Sequence, residues 1–119
     1  MKFLAAVAVI IVALLHFGFL ALEMFYWDHP IGQKLFSMTP EQSFETAALA
    51  ANQGLYNGFL AAGLLWSVIT RKTDVVIFFL LCVVVAGIFG AVTAKPTILL
   101  IQAAPAALAL LLTALAGRR

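Results

Sequence analysis

The stretch LAANQGLYNGFLAAGLLW, residues 49–66, is apolar at both ends and rich in Ala, Gly and Leu, as a membrane-spanning helix is. In its middle stand Asn52, Gln53, Tyr56 and Asn57, whose polar groups hydrocarbon cannot satisfy. At about 100° per residue these four cover an arc of roughly 140°. Gly54, Gly58 and Ala62 fall on the opposite side, a small-xxx-small ridge that lets another helix approach closely. One face of this helix is therefore expected to pack tightly and the other to line something polar. Small residues at 86, 90 and 94 of the following span are the expected partner of the ridge. Gly63, on a different face, is expected to accept a larger side chain more readily than Gly58.

The composition surrounding this stretch sets the class. Of 119 residues, 65% are hydrophobic and 10% charged, whereas soluble domains carry about 25% charged residues. The chain reads as an integral membrane protein of one domain, 1–119. Its net charge of +2 comes from basic residues at segment ends rather than in a patch, so nucleic acid is not an expected partner. The single cysteine, Cys82, lies in an apolar run and is read as a small hydrophobe. The opening MKFLAAVAVIIVALLHFGFLALE is apolar from Lys2 to Glu23, longer than the roughly 7–15 residues of a secretory signal core. It is read as a retained spanning helix.

Four spans follow, about 2–27, 43–69, 74–94 and 97–116, each near the roughly 20 residues that a bilayer core requires. The outer loop, 28–42, contains Pro30, Gly32 and Pro40. Thr39-Pro40-Glu41-Gln42 has the pattern of a capping box with Pro at the first helical position. Thr73 or Asp74 is expected to cap the third span, and Pro96 to start the fourth. The fold class is thus all-α, an integral membrane four-helix bundle running up-down-up-down. Lys2, Arg71, Lys72, Arg118 and Arg119 lie on one side and Lys34 and Lys95 on the other. That asymmetry predicts both termini inside. Phe25, Tyr26 and Trp27 then form an outer aromatic belt, and Trp66 an inner one.

The candidate site lies in the outer half. His16, Leu20, Glu23 and Trp27 are spaced to form one stripe on the first helix. Intramembrane ionisable residues cost at least about 2.5–3.5 kcal/mol at a helix centre and are functional by default. On the fourth span Pro105 is expected to free the Ile101 carbonyl beside Gln102. The reading is an outward-facing pocket that binds a small or lipid-like ligand, with proton-transfer chemistry as an extension. Glu23 is its candidate proton acceptor and His16 the complementary acid. Trp27, Asn52, Gln53, Tyr56, Asn57 and Gln102 are the candidate ligand-binding residues. No cofactor is expected, nor a metal, because His16 and Glu23 stand about 10 Å apart along the axis. One alternative is a proton-coupled small-molecule transporter, for which Glu23 is shallow. The other is a structural protein whose polar residues only fix helix packing. The bilayer is the expected partner; a homodimer through a glycine ridge is the less favoured arrangement.

LHFGFLALEMFYWDHPIGQKLF, residues 15–36, followed by LAANQGLYNGFLAAGLLW, resembles the small bacterial membrane proteins grouped as domain of unknown function 1304. The likeness covers nearly the whole chain, and its Asn-Gln-Gly-Leu-Tyr-Asn-Gly-Phe-Leu-Ala string is specific. The resemblance implies a four-helix, multi-pass protein of a bacterial inner membrane and brings no established activity.

Overall fold

A computed structural model of the chain describes residues 2–117. Arg118 and Arg119, two of the basic residues behind the predicted orientation, lie outside the described residues. The elements are α1 (Phe3–Phe25), α2 (Pro30–Leu35), α3 (Pro40–Ile69), α4 (Thr73–Thr93), a π-helical segment (Leu99–Ala103) and α5 (Ala104–Ala116). No strand occurs among the described residues. Among the described residues three helical stretches are long and apolar enough to cross a membrane: Phe3–Phe25, Thr73–Thr93 and Leu99–Ala116. With 30 residues α3 is the longest helix, yet it is not one of the three. Asn52, Gln53, Tyr56 and Asn57 supply the physical reason, since they dilute the hydropathy of its central turns.

The chain divides into two compact units, Leu14–Ala61 on one hand and Met1–Ala13 with Ala62–Arg119 on the other. Within Leu14–Ala61, the second half of α1 runs antiparallel to the first two-thirds of α3. Gly58 faces Leu20, Gly54 faces Glu23 and Met24, and Ser43 reaches Asp28. A Cβ at Gly54 would stand 2.8 Å from Met24 Cγ and 3.2 Å from the Leu20 carbonyl oxygen. Gly54 and Gly58 of the ridge therefore pack on α1, while Gly90 of its expected partner stretch faces Ile98. A small-xxx-small pattern permits close approach but carries no address for its partner.

The connection between α1 and α3 holds a helix that the sequence reading treated as loop. His29 Nδ1 accepts a hydrogen bond from the Ile31 amide at 3.1 Å, capping α2, and Pro30 follows with its φ already helical. Gly32 is buried against the chain that precedes it. A Cβ there would lie 2.1 Å from the Tyr26 carbonyl oxygen and 2.6 Å from that of Trp27. Next, α2 ends with Ser37 in the left-handed region (φ 53°). The Met38 amide donates to the Gln33 carbonyl and the Ser37 amide to that of Lys34, the paired bonds of a Schellman motif. The capping box then starts α3 as expected. The Thr39 amide donates to Gln42 Oε1 at 2.9 Å and the Gln42 amide to Thr39 Oγ1 at 3.1 Å.

In the other unit, α4 and the π-helical segment lie antiparallel, with Gly90 against Ile98 and Gly87 against Ala103. A Cβ on Gly87 would come within 2.6 Å of the Ala103 backbone nitrogen, so the two backbones are nearly in contact. Buried Val76, Leu80 and Val83 of α4 and Ala106, Ala109 and Thr113 of α5 form the core. The predicted disturbance at Pro105 takes the form of the π turn immediately before it. There the Ala104 amide donates to the Leu99 carbonyl, and widening of this kind accommodates a residue that cannot donate. Gly63 meets the Phe79 ring, whose Cζ would lie 2.5 Å from an added Cβ, so it is not the open position expected. Neither Thr73 nor Asp74 caps α4. Lys72 occupies the N-cap without a side-chain bond, and Asp74 Oδ1 instead accepts from the Val75 amide at 2.9 Å. Arg71 (φ 56°) makes a second Schellman turn, with Lys72 donating to the Ser67 carbonyl.

Candidate functional site

The unit Leu14–Ala61 holds every candidate site residue except Gln102. At its loop end the antiparallel pairing of α1 and α3 brings two polar chains together. Trp27 Nε1 donates to Thr46 Oγ1 at 2.9 Å, and Thr46 in turn donates to the Gln42 carbonyl at 2.6 Å. The buried hydroxyl of Ser43 accepts from Gln33 Nε2 at 3.0 Å and lies 2.8 Å from Asp28 Oδ1, to which it can donate. The Trp27 ring also stacks at a tilt on Phe36, with centroids 4.7 Å apart. Trp27 thus fixes the loop, α2 and the first turns of α3 at once. Sequence reasoning missed Ser43, Thr46 and Gln33. The signal was available in EQSFET, where two hydroxyls three residues apart share one face of the helix start.

Further into α3, Asn57 Nδ2 donates to Glu23 Oε1. Asn57 is 7% exposed and Glu23 is half-buried. Around the pair, Gly54 and Gly58 allow Leu20, Glu23 and Met24 to reach the α3 backbone. The glycines are what bring a short amide within reach of a carboxylate on the neighbouring helix. An ionised carboxylate can accept at about four positions, and the Asn57 amide fills one. Among the described residues no hydrogen bond reaches Oε2, and no buried side-chain oxygen or nitrogen lacks a partner. Oε2 is therefore not sealed within the described residues.

Asn52, Gln53 and Tyr56 do not join this pair. Asn52 and Gln53 are exposed, and Tyr56 is 54% exposed. Helix geometry gives the reason. Measured from Asn52, buried Ala50, Gly54, Gly58 and Ala61 occupy an arc from about 160° to about 240° at 100° per residue. Asn57, at about 140°, borders that arc, whereas Gln53, Tyr56 and Asn52 lie progressively outside it. The polar arc and the packing arc thus meet only at Asn57. His16 shares the stripe of Leu20 and Glu23, is fully buried, and packs edge-on against the Phe19 ring at 5.0 Å. Gln102 belongs to the π-helical segment of the other unit. Among the described residues no three His, Cys, Asp or Glu side chains gather to hold a metal.

Comparison with known proteins places this arrangement in a family. The family described as Protein of unknown function (DUF1304) matches residues 10–114, a range that includes every candidate site residue. The Uncharacterized protein YpaA of Lactococcus lactis subsp. lactis (strain IL1403) is 28% identical over 115 residues, covering 93% of this chain and 97% of the relative. No solved structure matches. The chain belongs to the DUF1304 family, a small helical protein with candidate membrane helices.

Proposed function

We propose that the protein is a four-span bacterial inner-membrane protein whose outer half binds a small or lipid-like ligand at Glu23. In this reading α3 crosses as the second span, because at about 1.5 Å per residue its 30 residues exceed a core of about 30 Å. Both termini then lie inside and α2 outside. The observation that carries the reading is Glu23 itself, a carboxylate on an apolar helix that is held through one oxygen while Oε2 is not sealed within the described residues. A network built only to fix packing would spend both oxygens on protein donors, since a half-satisfied polar group in hydrocarbon is expensive. Oε2 suits a hydroxyl, amine or amide head group, with Asn57 orienting the carboxylate. His16 lies about 10 Å deeper along α1 and supports the site by packing. Asn52, Gln53 and Tyr56 turn away from Glu23 and are not part of the proposed lining.

A lipophilic carbodiimide, which modifies protonated carboxyls reachable from hydrocarbon, tests the reading. Glu23 should be modified, Glu23→Gln should prevent it, and lipid extract from the native membrane should slow it. No modification of Glu23 in folded protein would mean that the carboxylate is sealed and the site purely structural.

A further inference from the structure

One exposed strip of α3 is left unexplained by that site. Glu45, Leu49, Asn52, Tyr56 and Phe59 follow one another at intervals of four, three, four and three residues, and all are exposed. Leu49 is 74% and Phe59 55% exposed. Alternation of three and four is the 3.5-residue repeat of a seam that a second helix covers. The strip lies on the side of α3 away from Gly54, Gly58 and Ala61, which already pack. Tyr56 and Phe59 meet edge to face, with centroids 5.7 Å apart, so the two rings form one continuous patch on the strip.

We infer that this strip is a homodimer interface, in which α3 of one copy lies along α3 of a second copy and Asn52 meets Asn52 of that copy near the twofold axis. If α3 spans, Asn52 and Tyr56 lie at hydrocarbon depth, where lipid satisfies neither. A self-paired interface does, because a side-chain amide and a phenol each donate and accept. Symmetry brings the same patch to itself, so the patch must be self-complementary in hydrogen bonding, and this one is. A polar asparagine in an otherwise apolar seam also fixes register and limits the number of strands. The Glu45 pair falls at the outer end, where water screens it.

Single cysteines at Leu49, Asn52 and Phe59, in a full-length Cys82→Ala background in native membranes, test the interface with copper phenanthroline. Val85 of α4, 65% exposed, serves as the control. Disulfide-linked dimers are expected at the three strip positions and not at Val85. Fluorescence counting of subunits in liposomes should give two per particle, falling severalfold toward one for Asn52→Leu. Absence of cross-links at all three positions in folded protein overturns the inference. So does equal cross-linking at Val85, or a particle of one copy with another protein bound to the strip. The carbodiimide reaction at Glu23 is independent of these outcomes, so failure of the dimer leaves the ligand site standing and the reverse.

Discussion

Gly54 and Gly58 look alike in the sequence, but their surroundings rank them differently. At Gly58 a new Cβ meets the far end of the Leu20 side chain, which can rotate aside. At Gly54 it meets Met24, Glu23 Cβ and a backbone carbonyl together. Gly54→Ala should therefore lower the thermal unfolding midpoint more than Gly58→Ala, with the former costing about 1–3 kcal/mol. Equal midpoints for the two variants would mean that α1 and α3 are not held this close. Gly32→Ala should be at least as damaging, because both nearest atoms are backbone oxygens with nowhere to go. At this scale the sequence was only partly legible. The polar arc and the small-residue arc of α3 were both visible, but which of the two a neighbour would bury was not. Asn57 belongs to the border between them, and only the packing of α1 selects it over Asn52 and Gln53.

Helix ends were the most legible elements, because their chemistry is local. The capping box at Thr39–Gln42 forms as read, and the disturbance before Pro105 follows from a missing amide. The reading of 28–42 as loop failed because a six-residue helix has too few positions for periodicity to show. The caps at Thr73 and Asp74 failed because Arg71 turns the chain by a Schellman motif and leaves Lys72 at the N-cap. Both Schellman turns use residues for which a left-handed backbone is unfavourable. Ser37→Gly should stabilise by roughly 0.5–1 kcal/mol, and Ser37→Val, branched at Cβ, should destabilise. Identical unfolding midpoints for wild type and both variants would remove the left-handed turn from the account. In α4, Gly87→Ala forces a methyl onto the Ala103 backbone, so it should unfold at lower temperature than Gly90→Ala, which meets only the Ile98 side chain.

For the whole molecule, composition pointed to an all-helical chain with helices apolar enough to cross a membrane, yet among the described residues hydropathy singles out three such helices rather than four. The difference is the cluster Asn52, Gln53, Tyr56 and Asn57 in α3; of these, Asn57 is assigned to the proposed ligand site and Asn52 and Tyr56 to the proposed dimer strip. Orientation is testable directly. In intact cells an impermeant maleimide should label Ser37→Cys and not Thr73→Cys, and equal labelling would reject the proposed topology. The central claim is that Glu23 holds a ligand rather than merely joining two helices. Glu23→Gln keeps the side-chain shape and can still accept from Asn57, so the fold should survive it. The most direct measurement is native mass spectrometry of wild type and Glu23→Gln purified from the same membranes, with unfolding midpoints recorded on the same samples. The account predicts a bound small molecule or lipid on the wild type, lost in Glu23→Gln while the midpoint stays near that of the wild type. Equal retention with a much lower midpoint in Glu23→Gln would contradict it.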